Sequence, residues 1–353
     1  MTDTVPERFR RRGRVRRTAG WTAAAVAVAG GYFWLSGGYD AWRHDRALDT
    51  VCDGDLAAGQ VRALFPDVEL VPHGDAYAGG RWSCLATAAD TERDGRARVS
   101  VNIERADGAA LRRDGDGGGM PLGHGWTGLF DFGGDPDQAV VRQGVASVLV
   151  DCGKGSGDGL LATAEARLAR GGDFRDSGAR VRLVAVLTET VTAYAGRTGC
   201  EARTGSPVKS VAVPADRPAV PVAEAAGTCA GLVDPATARA WGVRTVAEHP
   251  RTPAPVETCG LGGPDGTPLY GFTALYGPFA RYEARQARTD TDHAPRLTAV
   301  CPGAGATALY TAFPHPDALR EGAPAVDGAG LRAALKRFAD RSAAAHGCAV
   351  PVR

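Results

Sequence analysis

Eight cysteines carry more chemical information than any other residues of this 353-residue chain. Thiols can close disulfides, ligate a metal or act as nucleophiles, and spacing separates these roles. Cys52, Cys84, Cys152 and Cys200 form one set, with gaps of 32, 68 and 48 residues. Cys229, Cys259, Cys301 and Cys348 form a second, with gaps of 30, 42 and 47. The outer gaps agree and only the middle one differs. That rhythm predicts a duplicated module closed by two disulfides per copy. It also predicts export, because cytosolic thiols are kept reduced. Four cysteines allow three pairings per copy. First with second and third with fourth is the favoured one: Cys52–Cys84, Cys152–Cys200, Cys229–Cys259 and Cys301–Cys348. The variable middle segment then lies outside both loops. Each bridge would contribute roughly 3–4 kcal/mol by the chain-entropy argument. Zinc is disfavoured, since no Cys-x-x-Cys pair occurs and the seven histidines do not recur with the cysteines.

Other reactive patterns are incomplete. Cys152-Gly-Lys154-Gly-Ser156-Gly lacks the Gly-Lys-Ser/Thr order of a phosphate loop and reads as a hairpin turn. Ser206-x-x-Lys209 lies in a proline-rich stretch without a Lys-Thr-Gly partner. Asp131-Phe-Gly133 lacks every other kinase element, and Asp90, Glu92 and Asp94 carry too few partners for a calcium loop. No nucleophile elbow and no His-Glu-x-x-His occurs. No catalytic residue, metal or cofactor is therefore expected. His124 and Trp126, beside a glycine-rich insertion, are the candidate contact surface, because loops on rigid scaffolds carry binding. The competing reading is a partly buried tryptophan beside a solvated histidine.

The elements that position these residues recur in both copies. Cys52-Asp-Gly-Asp-Leu56 and Cys229-Ala-Gly-Leu-Val233 open each copy, and a short helix follows, roughly Asp55 to Leu64 and Asp234 to Trp241. Asp234-Pro235 is a good N-cap and first-turn pair. Strands are expected at Val68–Val71, Trp82–Ala86 and Ala97–Ile103, and at Val243–Ala247, Thr258–Leu261 and Leu269–Leu275. Apolar strands then end at Cys152 and at Cys301, and a further strand follows each, Leu160–Leu168 and Thr307–Phe313. A closing helix delivers the fourth cysteine. Leu331, Leu335 and Phe338 mark it in copy two, while Leu183, Leu187, Val191 and Tyr194 mark it in the β-branched run of copy one. Gly199 and Gly347 stop the two helices. Copy one also holds an insertion over 107–125, rich in glycine at Asp114–Gly119, with one added strand expected at Gly125–Phe132. Pro207, Pro214, Pro218 and Pro221 mark a stiff linker with little core-forming content.

Ahead of the modules, residues 1–17 hold seven arginines against Asp3 and Glu7, a charge of +5. Thr18 to Tyr39 contains no charged residue, and its 22 positions are enough to span a bilayer. Trp21 near one end and Tyr32, Trp34 and Tyr39 near the other fit interfacial positions, and the arginines favour a cytoplasmic N-terminus. The leading reading is an uncleaved signal anchor. A cleaved signal peptide is the rival, without a clear small-x-small site after the segment. A lipoprotein fits poorly, since Leu48-Asp49-Thr50-Val51 precedes Cys52. Arg16-Arg17 is a poor twin-arginine signal, and the glycine pairs 30–31 and 37–38 leave a buried core helix open.

The chain carries +1 overall, so the part beyond the tail is mildly acidic and gives no reason to expect nucleic acid. Only Lys154, Lys209 and Lys336 are lysines among 41 basic residues, the bias of a GC-rich, actinobacterial type of genome. Clustered arginine alone is thus weak grounds for a binding site. The order of anchor, Cys-x-x-x-apolar opening, short helix, hairpin, paired cysteines and closing helix resembles small exported domains of actinobacterial envelope proteins. Many of these are lipoproteins, and some have an α+β sandwich similar to that of the photosystem-associated PsbP proteins. The resemblance implies no catalytic residues, and this chain departs from it in lacking a lipobox. The expected architecture is α+β: a basic tail at 1–17, a transmembrane anchor at 18–39, a domain at 50–205, a linker at 206–227 and a second domain at 228–353. Each domain would be an antiparallel sheet with helices on one face. The expected role is a non-enzymatic envelope module that binds a protein, glycan or lipid. An exported hydrolase, with its site at the domain interface or insertion loop, is the alternative. Transmembrane signalling is a third reading, limited by the short tail.

Overall fold

The structure, a computed structural model, describes residue 43 and residues 46–74, 81–108, 119–133, 139–153, 158–214, 218–285, 294–320 and 328–353. The basic tail, the expected anchor at 18–39, most of the glycine-rich run in the insertion, and Lys154 to Ser156 lie outside these residues. Among the described residues no helix is long and apolar enough to cross a membrane.

All four disulfides close in the expected pairs, Cys52–Cys84, Cys152–Cys200, Cys229–Cys259 and Cys301–Cys348. They staple an α+β fold built on two antiparallel sheets. The first contains β1 (Leu70–His73), β2 (Arg81–Ala88), β3 (Arg98–Arg105), β4 (Met120–Gly123), β5 (Trp126–Phe132), β6 (Gln143–Asp151) and β7 (Gly159–Arg167). Its strand order is β1-β2-β3-β7-β6-β5-β4. Strict alternation shapes its strands: in β3, Val99, Val101 and Ile103 are buried, while Ser100 and Asn102 between them are not. Around this sheet lie α1 (Ala58–Leu64), α2 (Thr91–Asp94) and α3 (Ser177–Thr198). The β-branched run at 181–195 is helical, as its period predicts. Leu183, Leu187 and Val191 are fully buried along one stripe of α3, and tertiary burial outweighs the modest helix propensity of valine and threonine.

The second sheet contains β8 (Val220–Pro221), β9 (Thr245–Glu248), β10 (Val256–Gly262), β11 (Pro268–Tyr276), β12 (Arg296–Val300) and β13 (Thr307–Pro314). Its order is β12-β13-β11-β10-β9-β8. Its helices are α4 (Pro235–Ala240), α5 (Pro278–Arg285) and α6 (Gly328–Ala345). Asp234 caps α4 through the amides of Ala236 and Thr237, both at 2.9 Å.

Matching the copies by their cysteines makes the topologies coincide. The order β1-β2-β3-β7-β6 becomes β9-β10-β11-β13-β12. Cys84 and Cys259 lie within β2 and β10, and Cys152 and Cys301 directly follow β6 and β12. The closing helices also share register. Leu183 and Leu331, Leu187 and Leu335, and Ala195 and Ala343 are equivalent and buried in both. Gly199 and Gly347 take positive φ, 75° and 66°, and the amides of Cys200 and Cys348 bond the carbonyls of Ala195 and Ala343, each at 2.9 Å.

Three features differ from expectation. The insertion adds a hairpin, β4 with β5, where one strand was expected; Met120 and Leu122 are too few to announce a strand by period. Helix α5 lies in a part of copy two left unassigned from sequence. The proline-rich stretch is not an inert spacer. Val208 and Val211 are buried in the first core, the buried Arg180 guanidinium donates to the Val211 carbonyl at 2.8 Å, and Val220–Pro221 pairs with β9.

The two sheets also meet. Leu129, Leu149 and Leu161 turn away from the first core and pack with the second. The turn Gly303–Gly305 sits against β6 and β7, and Asp151 Oδ1 accepts from the Ala304 amide at 2.7 Å. Gly303 has φ of 58°, and a Cβ there would collide with the Asp151 carboxylate. Arg281 donates to the Ala106 carbonyl across the same junction.

Candidate functional site

The residues of the expected contact surface hold the chain between the copies. His124, at φ of 57°, opens the two-residue β4–β5 turn. Its carbonyl accepts from the Ser206 amide at 2.8 Å, and its Nδ1 lies 3.1 Å from the Leu122 carbonyl. Trp126 is buried and donates from Nε1 to the Ser206 carbonyl at 3.0 Å. Gly205 lies against the Trp126 ring, so close that a Cβ would overlap it. These contacts tie residues 205–209 onto the hairpin.

A different group of side chains converges in copy two. β10 supplies Glu257, β11 supplies Tyr276, β13 supplies Tyr310, α6 supplies Ser342, and the turn directly after α6 supplies His346, four residues on. Ser342 Oγ donates to Glu257 Oε2 at 2.6 Å, and Tyr276 OH lies 2.5 Å from Ser342 Oγ. Tyr310 OH is 3.4 Å from Tyr276 OH, and His346 Nε2 is 2.7 Å from Glu257 Oε1. A carboxylate oxygen accepts from its partners, so the contact with His346 runs from Nε2–H to Glu257 Oε1. With the Ser342 proton given to Glu257, Tyr276 must donate to Ser342. The chain of donation is thus Tyr310 to Tyr276 to Ser342 to Glu257, with His346 donating from the other side. The His346 imidazole also stacks on the Tyr276 ring, centroids 3.6 Å apart.

Burial, joined by the Glu257 charge and by Tyr310, raises the Tyr276 phenol far above its ordinary range, and the Ser342 bond only partly opposes this. Burial pushes Tyr310 up to about 12. Both phenols therefore stay protonated as donors. The serine does not touch the imidazole, because the carboxylate stands between them. The proton relay of a Ser-His-Asp triad requires the imidazole in the middle. Among the described residues no group of histidine, cysteine and carboxylate side chains could hold a metal ion.

Beside this network lies a cavity of about 270 Å³ lined by Glu257, Ser342, Phe338, Arg251, Arg341 and Ala345, among others. Its origin is legible in the duplication. Glu257 stands two residues before Cys259, as Trp82 stands two before Cys84. Ser342 stands six before Cys348, as Tyr194 stands six before Cys200. In copy one these positions form an aromatic pair, Trp82 against Tyr194 with centroids 5.5 Å apart. In copy two a carboxylate and a hydroxyl replace the two rings. The exchange is the signal that spacing within one copy could not give.

Arg251 and Arg341 line the same cavity, and Arg337 lies within electrostatic reach of Arg341. Arg251 Nε donates to the Gly227 carbonyl at 3.1 Å, Arg341 Nη2 to Thr228 at 3.5 Å, and Arg337 Nε to Leu232 at 2.9 Å. Partial burial, then repulsion by Arg251 and Arg337, lowers the Arg341 pKa, and Glu248 opposes the shift. Glu248 is already engaged by the amides of Ala226, Gly227 and Cys229 at 2.8–3.0 Å. Comparison with known proteins returned no matching family model, no matching curated protein and no matching solved structure.

Proposed function

We propose that this protein is a non-enzymatic binding module of the cell envelope, held at the membrane by its N-terminal segment, with copy two as the ligand-binding half. The four disulfides support placement in an oxidising compartment outside the cytoplasm. On this reading the two halves are duplicated copies that diverged, and copy one acts as scaffold. The weak likeness to exported actinobacterial envelope domains belongs to the same proposal.

One observation carries the binding role. The cavity beside α6 occurs where copy one is plugged by Trp82 and Tyr194, and its polar floor is a network whose members satisfy one another. Small concave sites with a few fixed polar groups are where ligands bind. A hydrolase is the second reading, favoured by Ser342 and Glu257 both facing the cavity. It needs Glu257 to act as base without the imidazole at the serine.

The test is direct titration of the extracytoplasmic chain with solubilised cell-wall glycan fragments and with lipid vesicles, by calorimetry. Wild-type protein should bind one class saturably. Ala345→Trp, an exposed position on the cavity wall, should abolish that binding without altering the circular dichroism. Binding unaffected by Ala345→Trp would refute the site. Turnover of ester substrates that Ser342→Ala removes would favour the hydrolase.

A further inference from the structure

We infer that the cavity of copy two recognises a phosphate group, either on a small soluble polyol or sugar or on a lipid head group. The inference rests on the binding role proposed above and names the chemistry of its ligand.

The argument begins in copy one. There the closing helix is tied to the opening turn by Arg197, which meets Asp55 at 2.6 Å and Asp53 at 3.3 Å. Those carboxylates stand three and one residues after Cys52. The equivalent positions after Cys229 are Leu232 and Ala230. Copy two keeps the mechanical tie between closing helix and opening turn but replaces the ion pair. Arg337 and Arg341 of α6, together with Arg251, reach the backbone carbonyls of Leu232, Thr228 and Gly227. A carbonyl takes one N–H and leaves the positive charge in place, whereas each guanidinium offers five donors.

The charges near the cavity do not balance by internal pairing. The three guanidinium groups donate to carbonyls, while the oxygens of Glu248 hold the amides of Ala226, Gly227 and Cys229 and those of Glu257 hold Ser342 and His346. Burial first, and then the nearby charges of Arg251 and Arg337, lower Arg341, in keeping with several cations gathered here. An arriving oxyanion would offset that charge. Guanidinium forks match phosphate oxygens two at a time, and two arginines on one cavity wall suit a tetrahedral, multiply charged group. The remaining wall is small and mixed: Phe338, Pro250 and Ala344 are apolar, and Thr228 and Thr252 carry hydroxyls. A volume of about 270 Å³ admits a phosphate with a body about as large as a monosaccharide and excludes a long glycan.

The experiment titrates the extracytoplasmic chain with inorganic phosphate, glycerol 1-phosphate and glycerol, and separately with phosphatidylglycerol and phosphatidylcholine vesicles. The variants are Arg341→Gln, Ala345→Glu, Ala345→Gln and, as a distant control on α5, Arg285→Gln. Saturable binding of glycerol 1-phosphate is expected. Arg341→Gln and Ala345→Glu should each weaken it by about tenfold, the loss of one charge-assisted contact. Ala345→Gln should weaken it less than Ala345→Glu does, and Arg285→Gln should leave it unchanged. Because Ala345 is exposed, the Glu and Gln pair separates charge from folding. Binding to phosphatidylglycerol vesicles alone, with the same dependence on Arg341, would identify the lipid as the source. No saturable binding of any phosphate probe, or affinity indifferent to Arg341→Gln and Ala345→Glu, would overturn the inference. Glycerol or a cell-wall glycan fragment bound in its place, and blocked by Ala345→Trp, would overturn the phosphate and leave the binding site standing.

Discussion

Counted from the cysteines, Ser342 and Glu257 occupy the positions that Tyr194 and Trp82 hold in the first half, where the two rings pack together. Burying a carboxylate is costly unless it is hydrogen-bonded, and Glu257 meets that condition through Ser342 and His346. The two phenols of the network give a pH signature. Their folded pKa values lie above the unfolded value near 10.0, with Tyr310 at about 12. Above about 10 the unfolded chain sheds phenolic protons that the folded chain retains. The unfolded state then binds fewer protons, so stability must fall as pH rises. Stability of copy two should be flat with respect to these groups below pH 10.0 and decline toward about 12. Urea unfolding at stepped alkaline pH, followed by tyrosinate absorbance, checks this. Tyrosinate formation in every tyrosine at the ordinary pH, with the fold intact, would contradict it. None of these five residues was legible as a group in the sequence. Glu257 and Ser342 lie 85 positions apart, and only sheet pairing and the packing of α6 bring them together. His124 and Trp126 could be singled out by their place beside a loop, but their bonds to Ser206 depend on where the returning chain runs.

Helix α6 is the element on which the candidate site depends, since it contributes Ser342, Phe338, Arg337 and Arg341 and leads directly into His346. Its last turn is fixed by the left-handed Gly347 and by the Cys301–Cys348 bridge to the end of β12. Replacing both cysteines by serine should destabilise copy two by about 2–5 kcal/mol. Amide exchange should rise first in the last turn of α6 and the residues that follow it, where Ser342 and His346 meet Glu257. Equal protection of α6 with and without the bridge would contradict that dependence. Much at this scale was readable from sequence. The rhythm of the cysteines anticipated all four bridges, and the period of Leu183, Leu187 and Val191 identified α3 against its β-branched composition. β4 and α5 were not readable. β4 is a four-residue edge strand whose pairing is set by its hairpin partner, and α5 begins with Pro278 directly after β11, where strand-like apolar residues hide the change of period.

At the scale of the whole molecule, the same five-strand order occurs twice, with additions at different edges: the β4–β5 hairpin beside β6 and the short β8 beside β9. The β4–β5 hairpin lies between Cys84 and Cys152 and fits the longer middle spacing of the first cysteine set. Leu129, Leu149 and Leu161, apolar on the outer side of the first sheet, are explained by the second copy that covers them. Strand alternation alone would have assigned those positions to solvent, and the docking of one copy on the other is what sequence periodicity cannot express. The central claim is that two copies of one disulfide-closed module work outside the cytoplasm. Peptide mapping under non-reducing conditions, on protein taken from its native envelope, tests it most directly. The account predicts four linked peptide pairs joining Cys52 to Cys84, Cys152 to Cys200, Cys229 to Cys259 and Cys301 to Cys348. Free thiols at these positions, or any bridge crossing from the first four cysteines to the last four, would contradict it.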